Sequence, residues 1–67
     1  MNISELMKSC AELGLKIDAT PDYPIQLSYM DGVFSASYEP NFASVITEVG
    51  NTAEEALEKL HKRLENV

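Results

Sequence analysis

Cysteine, histidine and tryptophan are nearly absent from this 67-residue chain: one Cys, one His and no Trp. A lone Cys10 can form no internal disulfide and builds no Cys-rich zinc site, so the fold has to be held by its apolar core. With His61 the single histidine, no transition-metal cluster is expected. Basic residues are scarce too, five against eleven acidic ones for a net charge of −6, and none falls between Ile17 and Glu58. Asp18, Asp22, Asp31, Glu39, Glu48, Glu54, Glu55 and Glu58 all lie inside that stretch. No apolar run approaches the roughly 20 residues that span a bilayer, and the N-terminus lacks the basic-then-apolar layout of a signal peptide. The expectation is a cytoplasmic protein, in the bacterial host cytoplasm if phage-encoded, with no membrane partner. Lacking a Gly-rich loop with a Lys, the chain has no cradle for a phosphate.

What is present reads as a single α+β domain over residues 1–67. Ile3, Leu6, Met7, Cys10 and Leu13 share one helix face, with Asn2 as N-cap and Gly14 placed to end the helix. Leu15, Ile17 and Ala19 alternate with Lys16, Asp18 and Thr20, which predicts a short extended segment before a Pro21-Asp22-Tyr23-Pro24 turn. Ile25, Leu27 and Tyr29 alternate with Gln26, Ser28 and Met30 and run into Asp31-Gly32, the dipeptide favoured where both turn residues need positive φ. The return strand covers about Val33–Glu39 and is broken by Pro40-Asn41. Ser44–Val49 forms a third β-rich run.

Thr52 and Glu55 then make a capping box. A stripe of Ala53, Ala56, Leu57, Leu60 and Leu64 at helical spacing predicts a helix that packs on the sheet, with Glu55–Lys59 and Glu58–Lys62 ion pairs on its outer side. The expected order is helix, three-stranded antiparallel meander, helix.

Nothing in the pattern points to catalysis. His61 flanks the leucine stripe, Cys10 lies on an apolar face, and Glu54-Glu55 sit in a first turn where the helix dipole favours acids. The element order is that of a double-stranded-RNA-binding domain, but Glu54 and Glu55 stand where that family carries phosphate-binding lysines. A one-sign acidic middle would repel nucleic acid. No catalytic residue, metal or cofactor is expected.

From Asp31 to Ala56, DGVFSASYEPNFASVITEVGNTAEEA resembles the core of the HicB-like antitoxin family, through Asp31, Gly32, Phe34, Ala36, Pro40, Thr47, Gly50, Thr52, Glu54, Glu55 and Ala56. The resemblance implies a three-stranded antiparallel sheet backed by a helix, akin to a partial ribonuclease-H fold without a working site. It further implies an acidic protein that covers a small basic ribonuclease toxin. The chain departs from the family at Ala43-Ser44, where Pro-Gly is usual, in one extra residue before Gly50, and in the added first helix. No segment follows the last helix, so the family's DNA-binding tail is not expected.

The reading is therefore a non-enzymatic, inhibitory binding protein for a basic protein partner such as a toxin ribonuclease or a defence protein, with Asp31, Glu39, Glu48, Tyr29 and Tyr38 at the contact. Strand edges free of lysine predict a homodimer or higher homo-oligomer, joined by strand addition or by apolar helix surface. The alternative is a phage-type homo-oligomer that sequesters a small ligand in a subunit groove walled by Tyr23, Tyr29 and Tyr38.

Overall fold

The computed structural model describes residues 2–17, 25–39 and 45–66. The element order is α1 (Ile3–Ile17), β1 (Gln26–Met30), β2 (Val33–Tyr38), β3 (Ile46–Gly50) and α2 (Ala53–Glu65). The strands form one antiparallel sheet in the order β1-β2-β3, the α+β meander expected from the sequence. Among the described residues no helix is long and apolar enough to cross a membrane.

Local chemistry sets most element ends. Asn2 Oδ1 accepts from the Glu5 backbone N–H at 2.8 Å, and its Nδ2 donates to the Glu5 carboxylate at 3.2 Å, closing the first turn of α1. Thr52 Oγ1 accepts from the Glu55 N–H at 3.0 Å and caps α2. The returning half of the expected capping box is not formed, because the Glu55 carboxylate turns forward to Lys59, 3.3 Å away. The expected Glu58–Lys62 pair is absent among the described residues; the neighbouring Arg63 pairs instead with Glu48 on β3. Asp31 and Gly32 take φ of 54° and 80°, the left-handed pair of a two-residue hairpin loop closed by Met30 and Val33.

The first helix departs from expectation. It continues through Gly14 to Ile17, so Leu15–Ile17 are helical rather than extended. Leu15 and Lys16 are good helix formers, and a glycine inside a helix costs only about 1 kcal/mol. Gly14 lies against the ring of Tyr38: a Cβ there would stand 2.9 Å from Tyr38 Cε1. The expected Ala19–Thr20 extension, the Pro21–Pro24 turn, the Pro40-Asn41 break and Ser44 lie outside the described residues.

Both helices sit on one side of the sheet. α2 crosses β2 and β3, and α1 packs beside it. Ala56, Leu57, Leu60 and Leu64 from α2, Leu6 and Cys10 from α1, and Ile25, Ala36 and Tyr38 from the sheet side form one buried cluster. Strand alternation with this register puts Leu27, Tyr29, Phe34, Ala36, Tyr38, Ile46, Glu48 and Gly50 on the helix side. Gln26, Ser28, Met30, Val33, Ser35, Ser37, Thr47 and Val49 make the other face, which nothing covers among the described residues.

Candidate functional site

The uncovered sheet face is the most distinctive surface. Its eight strand residues carry no charge on a chain whose net charge is −6. Met30 is 75% exposed, and Val33, Val49 and, just before β3, Val45 are also large apolar side chains left in water. Between them Ser37 Oγ and Thr47 Oγ1 share a cross-strand hydrogen bond of 3.3 Å. The helices pack on the opposite face over β2 and β3, and among the described residues nothing packs against the exposed apolar groups here.

The anticipated contact residues scatter over the molecule. Asp31 lies in the hairpin turn at one end of β2 and Glu39 just past its other end, about 20–25 Å away at the ordinary strand rise. Both are exposed and flank the uncovered face, Glu39 following Val33, Ser35 and Ser37 in the alternation. Glu48 is the single charged residue within the strands, and it points to the helix side, where its Oε2 accepts from Arg63 Nη1. The register therefore removes Glu48 from the group.

The tyrosines divide as well. Tyr38 is 1% exposed, and its hydroxyl donates to the Gly14 carbonyl at 2.9 Å. It is a core residue and cannot meet a partner, because its place in the alternation turns it under the helices. Tyr29 is 62% exposed at the far end of β1, its ring 4.7 Å from that of Phe34 with an interplanar angle of 52°. Tyr23 lies outside the described residues, and Tyr29 and Tyr38 do not line a common groove.

A second arrangement escaped the sequence reading. Ser9 Oγ lies 2.8 Å from His61 Nε2, and His61 Nδ1 lies 2.9 Å from Glu65 Oε1. In the Nδ1–H tautomer His61 donates to Glu65 and accepts from Ser9. These are the distances of a serine nucleophile, its base and an orienting carboxylate. The backbone around them differs from such a site. Ser9 sits in the middle of α1, where each backbone N–H is committed to the carbonyl four residues back, so the backbone beside Ser9 offers no oxyanion donor. The chain Ser9–His61–Glu65 thus ties α1 to α2.

Ser9 and His61 are 52 positions apart. The available signal was that each flanks an apolar stripe, Ser9 beside Leu6 and Cys10, His61 beside Leu57, Leu60 and Leu64.

Among the described residues, grooves border α2 on either side of Lys62. One, of about 450 Å³, is lined by Leu6, Glu54, Glu58, His61, Lys62 and Glu65. The other, of about 270 Å³, lies between Glu48, Lys59, Lys62, Arg63 and Asn66 and gathers three of the five basic residues. Cys10 is fully buried, its Sγ 3.7 Å from the Leu57 carbonyl, and burial raises its pKa from 9.0 to about 11. The described residues contain no group of three or more His, Cys, Asp or Glu that could hold a metal ion.

Fold and surface together define an α+β domain with helices packed on one sheet face and, among the described residues, nothing on the other. No family model, curated protein or solved structure matches the chain.

Proposed function

We propose that the protein is a non-catalytic binding module that seats a basic protein on its uncovered sheet face, acting as a HicB-like inhibitor of a small basic ribonuclease. The observation that carries this reading is the bare face itself: Met30, Val33 and Val49 among neutral Ser and Thr, with Asp31 and Glu39 at its two ends. Interfaces between proteins are built in this way, with charge depleted at the centre and polar groups at the rim. The acidic rim and the net charge of −6 steer a basic partner toward this face and speed encounter. The uncommitted acids Asp31 and Glu39 carry this role, whereas Glu48 is neutralised by Arg63.

The test is a titration of a small basic toxin-class ribonuclease with this protein, reading RNA cleavage and binding at low and high salt. Inhibition that weakens as salt rises is expected. Val49→Asp should weaken binding about tenfold or more, a loss of about 1.4 kcal/mol or above. Asp31→Asn with Glu39→Gln should flatten the salt dependence while leaving the fold intact. A ribonuclease that is neither bound nor inhibited overturns the reading, and so does binding indifferent to Val49→Asp.

A further inference from the structure

Strand β1 carries an exposed edge. α2 crosses β2 and β3, so β1 lies outside its cover, and Gln26, Ser28, Tyr29 and Met30 are all exposed. Gln26–Met30 contains no charge, no proline and no lysine, the devices that ordinarily keep an edge strand from pairing. Its free backbone groups follow from the hairpin. A two-residue loop makes Met30 and Val33 a hydrogen-bonded pair, and the alternation makes Ser28–Ser35 and Gln26–Ser37 the next ones. The N–H and C=O groups of Leu27 and Tyr29 consequently point outward, away from β2.

We infer that a second copy of this chain pairs with β1 in antiparallel fashion, joining two three-stranded sheets into one of six strands. With Ser28 opposite its own symmetry copy, Leu27 of each copy falls opposite Tyr29 of the other. Those two are the residues with outward backbone groups, so this register forms four new hydrogen bonds entirely within the strand. It also brings each half-buried Leu27 side chain against the exposed Tyr29 ring of the other copy on the helix side.

Charge selects this edge over the other. Each copy carries −6, and β1 is a strip where two copies meet with no like charges opposed. The β3 edge has Glu48 at its centre and Lys59, Lys62 and Arg63 beside it, so self-pairing there would set carboxylate near carboxylate and bring two basic clusters together. A two-fold axis normal to the sheet keeps all four helices on one side. The two bare faces then become one continuous surface twice as wide. The dimer stands on the edge chemistry alone and does not depend on the partner proposed above.

The experiment is sedimentation analysis of the full chain, paired with amide hydrogen exchange read at Leu27, Tyr29 and Met30. The expected mass is twice 7.4 kDa, with the Leu27 and Tyr29 amides exchanging slowly. Ser28→Lys sets two ammonium groups against each other across the axis at an exposed site where a lysine does not disturb the fold. It should return the mass to 7.4 kDa and free the Leu27 and Tyr29 amides while Met30 stays protected within the hairpin. A monomer at the highest soluble concentration overturns the inference. So does a dimer that survives Ser28→Lys, or one whose Leu27 and Tyr29 amides exchange as freely as exposed ones.

Discussion

Tyr38 and Gly14 meet edge to backbone: the Tyr38 hydroxyl donates to the Gly14 carbonyl at 2.9 Å while its ring occupies the space where a Gly14 side chain would stand. Gly14→Ala would raise the helix propensity of α1 by about 1 kcal/mol. It would also push a methyl group to 2.9 Å from a ring that is buried and cannot swing away. Overpacking of this kind costs about 1–3 kcal/mol. The expected net result is a loss of up to about 2 kcal/mol, read as a fall in Tm of about 4–8 °C per kcal/mol for a domain of this size. Tyr38→Phe should cost about 1 kcal/mol by leaving the carbonyl without its hydroxyl donor. A Gly14→Ala protein that melts higher than the parent would show that propensity outweighs packing here.

Cys10 makes stability fall with alkaline pH. The folded state holds the thiol proton up to about 11, above the ordinary value of 9.0, because burial disfavours the thiolate. Between these values the unfolded chain has lost the proton and the folded chain has kept it, so each step up in pH favours unfolding. The contribution is fully present below pH 9 and lost by about pH 11, on the order of 2–3 kcal/mol in all. Denaturant titrations across that window should show the decline, and Cys10→Ala should remove it while lowering stability at neutral pH. Iodoacetamide should modify Cys10 slowly in the folded protein and quickly in the denatured one.

Ser9→Ala or His61→Ala removes the link between α1 and α2. Because His61 is partly exposed and water can replace the missing partner, the expected cost is about 0.5–1.5 kcal/mol. The two substitutions together should cost about as much as His61→Ala alone, since that change already removes the bond to Ser9 along with the one to Glu65. A fluorophosphonate probe should leave Ser9 unmodified, because the helical backbone beside it has no N–H to spare for an oxyanion. Labelling of Ser9 that His61→Ala abolishes would contradict the non-catalytic reading.

Much of this fold was legible from local patterns. The Leu57, Leu60 and Leu64 stripe, the Thr52 cap and the Asp31-Gly32 turn each depend on residues a few positions apart, and such signals survive in the linear sequence. Gly14 misled because glycine has two uses, ending a helix or admitting a close neighbour. Only the position of Tyr38, 24 residues away, distinguishes them. Likewise the run of acids from Asp18 to Glu58 promised an acidic sheet, yet the strands contain one acid, Glu48; Asp31, Glu39, Glu54, Glu55 and Glu58 lie in the hairpin turn, just past β2 or in α2, and Asp18 and Asp22 lie outside the described residues.

The sequence by itself determined the α+β class, the hairpin, the apolar stripes and the net charge, since periodicity and turn chemistry act over neighbouring residues. The tertiary structure decided which side of the sheet is buried, and thereby whether each candidate is available. It turned Tyr38 into core, engaged Glu48 with Arg63, joined Ser9 to His61, and left Met30, Val33 and Val49 bare. The physical reason is that a strand offers two faces of similar composition. Covering one of them depends on where both helices come to rest, and that is fixed by contacts between residues far apart in the chain.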